Sequence, residues 1–238
     1  MFLSVVIPCY NEEERIGKTL QTIASYFKDK PYEWEVIVVD NGSTDKTRNV
    51  AENFHSQIPH LTIFSKKSHG KGWAVKQGML LAKGDFRLFT DADNSTDISH
   101  VETFLEWAEK GYDVVISSRK IEGAKITHPQ PVSRVALGNL FTFVVNLIIP
   151  LGIKDTQNGF KLFTAKAAEK IFPHQTIFYW AFDVEILALA KQFEFKIKEV
   201  PITWVNNDSS KMDFKGMSRM IFEVIITRLH MMTRTYLK

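Results

Sequence analysis

The stretch Trp34-Glu-Val-Ile-Val-Val-Asp-Asn-Gly-Ser-Thr-Asp45 decides the fold class of this 238-residue chain. Its first half is a short apolar run rich in β-branched residues, which predicts a buried strand. Its second half is a polar turn, in which Ser43 or Thr44 can cap a helix that continues to about Phe54. A buried strand that passes through a polar turn into a helix is the repeating unit of a parallel sheet.

The same pattern recurs on both sides of this stretch. Apolar runs predict further strands at residues 2–8, 61–65, 86–90 and 114–118, and helical spacing predicts helices at 12–28 and 72–81. This alternation predicts an α/β fold, with a mostly parallel sheet and helices on both faces. Further along, we expect a turn-rich loop at 155–161 and helices at 165–171, 183–192 and 216–238. A strand at 197–204 contains Pro201, so we place it at an edge of the sheet.

The composition excludes several classes of protein. With 45% hydrophobic and 24% charged residues, the chain is neither disordered nor a coiled coil. A net charge of +3 is too weak to indicate a nucleic-acid partner. A single cysteine, Cys9, cannot form an intrachain disulfide, which favours a reducing compartment.

We find neither a signal peptide nor a run long enough to span a membrane. The most apolar segment, 136–151, is interrupted by Asn139, Asn146 and Pro150. Two interpretations of it remain open: a buried core helix, or a helix that lies in the membrane interface. The C-terminal helix combines helically spaced apolar residues with basic ones, which is typical of a membrane-surface element or of a helix packed on the protein itself.

Polar clusters follow three of the predicted strands, at residues 10–12, 40–45 and 91–97. Because the carboxyl ends of parallel strands lie at one edge of a sheet, we expect these clusters to converge. Asp91 and Asp93, one residue apart after a strand, are suited to a divalent cation that also binds phosphates. Asp40 can accept hydrogen bonds from a ribose or a base. Lys71, between two glycines at a helix start, is suited to an anion, and Arg119 and Arg134 can each bind a phosphate.

Four segments together resemble family 2 glycosyltransferases of the GT-A fold: Val5-Val-Ile-Pro-Cys-Tyr-Asn-Glu12, Val38-Val-Asp-Asn-Gly-Ser-Thr-Asp45, Gly70-Lys-Gly72 with Gly78, and Thr90-Asp-Ala-Asp93. Further segments resemble the polyprenyl-phosphate branch, above all dolichyl-phosphate β-glucosyltransferases: Ser117-Ser-Arg119, Asp155-Thr-Gln-Asn-Gly-Phe-Lys161, Phe182-Asp-Val-Glu185 and Val200-Pro-Ile-Thr-Trp204 with Ser210-Lys211. The resemblance implies a catalytic GT-A domain over residues 1–205, with 206–238 as a basic amphipathic helical segment of the same unit.

The resemblance also implies a role for each candidate residue. The nucleotide would be held by Pro8, Tyr10, Asn11, Glu12, Asp40, Lys71, Asp91 and Ala92. Asp91 and Asp93 would bind Mg²⁺ or Mn²⁺, and the acceptor phosphate would be bound by Arg119, Arg134 and Lys211. Asp91, Asp93, Arg119 and Arg134 would then be the catalytic residues, supported by Asp155, Asp183 and Glu185.

The implied activity is inverting transfer of a hexose from a nucleotide sugar to a polyprenyl or dolichyl phosphate at the membrane surface. Glucose from UDP-glucose is the first expectation; mannose from GDP-mannose, N-acetylglucosamine from its UDP donor, and a glycan hydroxyl as acceptor are the alternatives. The enzymes of this branch in eukaryotes carry an N-terminal membrane anchor, whereas this chain begins at its first strand. We therefore expect a peripheral enzyme on the cytoplasmic face of the membrane, with no nucleic-acid partner.

Overall fold

The computed structural model describes residues 1–66, 70–128, 131–206, 214–233 and 235–237. In chain order the strands are β1 Leu3–Cys9, β2 Trp34–Asp40, β3 Leu61–Ser65, β4 Phe86–Thr90, β5 Val114–Ser118, β6 Lys125–Ile126, β7 Phe160–Thr164, β8 Ile197–Pro201 and β9 Thr203–Trp204. The α-helices are α1 Ile16–Phe27, α2 Thr47–Glu52, α3 Lys71–Leu81, α4 His100–Glu109, α5 Val132–Ile148, α6 Ala165–Ile171, α7 Phe182–Gln192 and α8 Phe214–Met232. Short 3-10 helices lie at Phe172–His174 and Thr235–Leu237.

The main sheet has the strand order β3-β2-β1-β4-β7-β5-β8. All its neighbours are parallel except β7, which runs antiparallel to both β4 and β5. The predicted α/β fold with a mostly parallel sheet is confirmed, and so is the position of β8 at the sheet edge. Strand β9, which follows Pro201, leaves the main sheet and pairs with β6.

Alternating side chains of the central strands build two apolar cores, one on each face of the sheet. Val6 and Phe89 belong to the core under α3, α6 and α7, whereas Val5 and Leu88 belong to the core under α1 and α4. Gly78 lets α3 lie directly on β1, because a Cβ there would come within 2.2 Å of the Val6 side chain. This close packing brings the N-terminal end of α3 toward the carboxyl ends of β1 and β4.

The turn before α2 differs from the prediction. The helix begins at Thr47, and neither Ser43 nor Thr44 caps it. The N-cap position is held by Lys46, which makes no side-chain cap bond, and Asp45, one residue earlier, accepts the Thr47 N–H at 2.9 Å. Ser43 and Thr44 are occupied by the preceding loop, where each hydrogen-bonds with Asn11.

Helices α5 and α8 each expose a stripe of apolar side chains. On α5, Phe141 and Val145 are buried, but Leu140, Phe143 and Leu147 are 56%, 66% and 73% exposed. On α8, Met220 and Val224 are buried, whereas the exposed apolar residues are Phe222, Ile225, Leu229 and Met232. The interpretation of α5 as a buried core helix therefore holds for one of its faces only. Within the described ranges, no helix has both the length and the apolar character needed to cross a bilayer.

Candidate functional site

The loops that follow β1 and β2 form one hydrogen-bonded wall. Asn11 has a φ of 54°, and its side-chain carbonyl accepts the Thr44 N–H at 2.8 Å. Asp40, at the end of β2, is only 3% exposed, and its carboxylate accepts the Ser43 N–H at 2.9 Å and the Ser65 hydroxyl at 2.7 Å. A buried carboxylate held from two sides is fixed in position. Beside this wall the Tyr10 ring is 55% exposed.

The ammonium group of Lys71 interacts with both predicted metal ligands, Asp91 and Asp93. Its Nζ lies 2.5 Å from Oδ1 of Asp91, at the end of β4. Burial alone would lower the pKa of Lys71, but the carboxylates of Asp91, Asp183 and Asp93 raise it above its ordinary value. Asp93 accepts the Ser95 N–H at 2.9 Å, which orients it in the same loop. The start of α3 therefore lies beside the loop after β4.

Glu12 faces the same group of carboxylates. Burial raises its pKa first, Asp93 and Asp91 raise it further, and the nearby Arg15 opposes them. The Arg15 Nε donates to the Glu12 carboxylate at 2.6 Å. Three acidic side chains from two loops thus influence one another, and the side chains of Lys71 and Arg15 balance part of their charge.

Gly159, which we did not predict, shapes the position of Asp91. The Asp91 N–H donates to the Gly159 carbonyl at 3.1 Å, and a Cβ on residue 159 would lie 2.1 Å from an Asp91 carboxylate oxygen. The antiparallel pairing of β7 with β4 creates this approach. The Asn158-Gly159 dipeptide is a turn signal, but the sequence does not show which strand the turn lies against.

Arg119 lies in the site, and its guanidinium is turned toward Asp155. Its Nε and Nη2 donate to the two oxygens of Asp155 at 2.8 and 2.9 Å, and its backbone N–H adds a third bond at 2.9 Å. The guanidinium carbon also lies 5.1 Å from the centre of the Trp204 ring. Asp155 thus supports Arg119, while contact between Arg119 and an acceptor phosphate stays a prediction.

Asp183 is paired with a lysine that we did not predict. Lys161 is fully buried, and its Nζ donates to the Asp183 carboxylate and, at 2.6 Å, to the Asn158 carbonyl. Burial raises the pKa of Asp183 and lowers that of Lys161. In the sequence this lysine interrupts an apolar run, so only its distant partner explains it.

The structure shows Glu185 bound to a loop and to the chain end, and its expected support of the acceptor or the metal stays a prediction. Two residues along a helix are about 200° apart around its axis, so Glu185 points away from the side of α7 that carries Asp183. Its carboxylate accepts the N–H groups of Thr176 and Ile177 at 3.0 and 2.7 Å, and the Tyr236 hydroxyl at 2.7 Å. Glu185 therefore fastens the loop before α7 and the end of the chain.

Residues 4–172 match the family model described as "Glycosyl transferase family 2". This chain belongs to glycosyl transferase family 2. The family 2 resemblance that the four segments carried is confirmed, and the polyprenyl-phosphate branch is confirmed by curated relatives. A dolichyl-phosphate β-glucosyltransferase from Trichomonas vaginalis is 34% identical over 235 residues, covering 94% of this chain and 72% of the relative.

Enzymes of the same name from other organisms are equally similar to this glycosyltransferase. The one from Saccharomyces cerevisiae is 36% identical and covers 89% of this chain and 69% of its own length. The human one is 33% identical and covers 97% of this chain and 76% of its own length.

Solved structures confirm the GT-A fold. Glucosyl-3-phosphoglycerate synthase from Mycobacterium tuberculosis, crystallised with Mn²⁺, UDP and glucosyl-3-phosphoglycerate, matches with a TM-score of 0.70 at 20% identity, over 97% of this chain and 79% of that chain. Mannosyl-3-phosphoglycerate synthase from Rubrobacter xylanophilus matches with a TM-score of 0.70 at 20% identity, over 99% and 74% of the two chains. At this identity the likeness concerns the fold alone.

Of the four predicted residues that remain in this family 2 enzyme, the structure describes the side chains of two. Pro8 is buried within β1, and Ala92 is 4% exposed with its carbonyl accepting the Thr19 hydroxyl at 2.7 Å. Because both side chains are buried, Pro8 and Ala92 would influence a nucleotide only through the path of the backbone. Lys211 and the side chain of Arg134 lie outside the described part of the structure, and their predicted roles stay predictions.

Proposed function

We propose that this enzyme transfers glucose from UDP-glucose to a polyprenyl phosphate, with inversion at the anomeric carbon. The observation that carries the proposal is the 33–36% identity to dolichyl-phosphate β-glucosyltransferases over 89–97% of the chain. The site geometry supports it. A wall of fixed polar groups around Asp40 suits a nucleoside, and the cations of Lys71 and Arg119 suit two phosphate groups.

The donor would lie along the edge of the sheet. Asp40, Asn11 and the Tyr10 ring line the wall where the base and ribose would bind. Lys71 would move its ammonium from Asp91 to the diphosphate, because a phosphate oxygen offers it a second anionic partner in the same place. The start of α3, at Gly70 and Gly72, supplies the partial positive charge of the helix dipole on the same side.

The carboxylates at the end of β4 fit a divalent cation. Asp91 and Asp93 come from one loop, and both raise the pKa of Lys71. Among the described residues, no group of three or more His, Cys, Asp or Glu side chains forms a complete metal site. Two carboxylates completed by substrate phosphates are the set that Mg²⁺ or Mn²⁺ takes in such enzymes. When bound, the cation would neutralise charge on the departing nucleoside diphosphate.

The acceptor phosphate would itself be the nucleophile. Its second pKa is about 6, so at neutral pH it is mostly dianionic and needs orientation more than deprotonation. Arg119 is held for this task by Asp155 and by the Trp204 ring. Asp183 is committed to Lys161, which removes it as a free general base and favours a phosphate acceptor over a hydroxyl.

The exposed stripes of α5 and α8 would bind the membrane surface. Leu140, Phe143 and Leu147 follow the spacing i, i+3, i+7, so they lie along one side of α5. The two helices pack against each other, and each of them exposes apolar side chains to solvent. A lipid surface is the partner that an enzyme acting on a polyprenyl phosphate meets, and we propose a peripheral location on the cytoplasmic face.

The activity is tested with purified protein, Mg²⁺ or Mn²⁺, a short polyprenyl phosphate and a panel of labelled nucleotide sugars. We expect label from UDP-glucose in the organic phase, and loss of transfer in Asp91→Asn. Label from GDP-mannose or UDP-N-acetylglucosamine instead would correct the donor. Label from no donor, with UDP still binding, would reject the polyprenyl phosphate acceptor and favour a glycan hydroxyl.

Membrane binding is tested separately by sedimentation with anionic vesicles. A chain truncated after Gly216 would lose the buried residues of α8, so point variants are the cleaner test. Phe143→Asp combined with Leu147→Asp should abolish sedimentation and leave UDP binding intact. Leu80→Asp is the matched control, because Leu80 is also exposed, at 43%, but lies on α3. Equal sedimentation of wild type and double variant would refute the proposed surface.

A further inference from the structure

Three consecutive side chains in the loop before β7 have buried polar atoms without a hydrogen-bond partner among the described residues: Thr156 Oγ1, Gln157 Nε2 and Asn158 Nδ2. Thr156 is 1% exposed and Asn158 is 2% exposed. Native proteins pair the large majority of such atoms, because an unpaired buried polar group is destabilising. Three in succession, unpaired among the described residues, are a set that a bound polar molecule can complete.

The position of this loop indicates what those partners are. At one end, Asp155 binds the guanidinium of Arg119, where the acceptor phosphate would lie. At the other end, Gly159 lies against the carboxylate of Asp91, beside the proposed diphosphate. The three unpaired side chains occupy the interval between these two ends. In a transfer from diphosphate to phosphate, the sugar has to occupy that same interval.

We propose that Thr156, Gln157 and Asn158 bind hydroxyl groups of the donor hexose and select the sugar. The inference rests on the proposed function and adds the residues that read the sugar. A hexose carries several hydroxyls, each of which both donates and accepts. The Thr156 hydroxyl can do either, and the two side-chain amides offer N–H donors. The Lys161 Nζ donates to the Asn158 carbonyl, which holds the loop backbone in place.

A sugar-reading role and a structural role have opposite effects on stability. A polar atom that helps to hold the empty fold stabilises it, so its removal lowers the melting temperature. A polar atom that is unpaired until the sugar binds does not stabilise the empty enzyme, so an apolar replacement of the same shape is neutral or stabilising. Thr156→Val changes a hydroxyl to a methyl group at nearly constant volume and therefore separates the two roles.

The experiment compares binding of UDP and of UDP-glucose, by calorimetry with Mn²⁺, and the melting temperature of the ligand-free protein. For Thr156→Val we expect UDP affinity within about twofold of wild type, UDP-glucose affinity weaker by about three- to tenfold, and an unchanged or higher melting temperature. Gln157→Met should act in the same direction. Thr227→Val is the matched control, because Thr227 is equally buried but its hydroxyl donates to the Glu223 carbonyl at 3.0 Å.

Each outcome bears on one of the two proposals. An unchanged ratio of UDP-glucose to UDP affinity in Thr156→Val, whatever its melting temperature, overturns the sugar-reading role. The proposed function then still stands. A wild-type enzyme that binds no uridine nucleotide overturns the proposed function, and the sugar-reading role with it. Selectivity for UDP-glucose over UDP-galactose that falls in Thr156→Val but not in Thr227→Val supports the assignment.

Discussion

Replacing Asp155 with Asn should lower the free energy of unfolding by about 3 kcal/mol. The Asp155 side chain is 2% exposed, and it accepts three N–H bonds from Arg119 at 2.8 to 2.9 Å. Removing one partner of a buried ion pair typically costs about 3–5 kcal/mol, because the other charge stays buried. The Arg119 side chain is 22% exposed and close to Asp91 and Asp183, which favours the lower end of that range.

The assay is a thermal melt in chelator and without nucleotide. For a chain of this size, about 1 kcal/mol shifts the melting temperature by about 2–4 °C, so we expect a fall of about 6–12 °C. Glu52→Gln is the control, since it breaks the Arg48–Glu52 pair, whose side chains are 58% and 44% exposed. That change should cost less than about 1 kcal/mol. An Asp155→Asn protein that melts within about 2 °C of wild type would refute the reasoning.

Three further predictions concern other parts of the site. Burial would raise the pKa of Asp155, but Arg119 lowers it below its ordinary value. The contribution of ionised Asp155 to the stability of the fold is therefore complete above about pH 5 and is lost as the pH falls through the folded pKa. The gap in melting temperature between wild type and Asp155→Asn should narrow below about pH 4, and a gap that widens there contradicts this assignment. Gly159→Ala places a Cβ 2.1 Å from an Asp91 carboxylate oxygen. The rate of sugar transfer should therefore fall about 100-fold while the melting temperature changes little. A transfer rate near that of the wild type would mean that the position of Asp91 is not critical. Tyr236→Phe removes a 2.7 Å bond to the buried Glu185 and should cost about 1.5–3 kcal/mol in urea unfolding, whereas an unchanged urea midpoint would show that Glu185 does not need this donor.

The first half of the fold could be predicted because β1 and β2 are largely apolar on both faces. Such strands appear in the sequence as continuous runs, and their ends are marked by polar residues. The same rule located the site residues of the first half. Asp40 and Asp91 lie directly after such runs, and parallel strands bring their ends together.

Strand β7 was not predicted, although Phe160-Lys-Leu-Phe-Thr164 has the same pattern as Phe86-Arg-Leu-Phe-Thr90 of β4, because the predicted loop at 155–161 already included its first two residues. Lys161 breaks the apolar run between Phe160 and Leu162, yet it is buried, since Asp183 balances its charge. Pairs between distant residues leave no periodic signal in a single sequence. The contacts of Glu185 could not be predicted for a related reason, because its distance in sequence from Asp183 says nothing until the phase of the helix is taken into account.

The contacts of Glu185 also link the end of the chain, beside α8, to the start of α3. Glu185 holds the N–H groups of Thr176 and Ile177, and the neighbouring Gln175 donates to the Gly72 carbonyl at 2.9 Å. The Gly72 N–H in turn donates to the Phe178 carbonyl at 2.8 Å. One loop thus joins the chain end, which Tyr236 anchors beside α8, to the start of α3 beside Lys71. If α8 binds a lipid surface as proposed above, we therefore expect that contact to act on the same hydrogen-bonded loop that holds the start of α3.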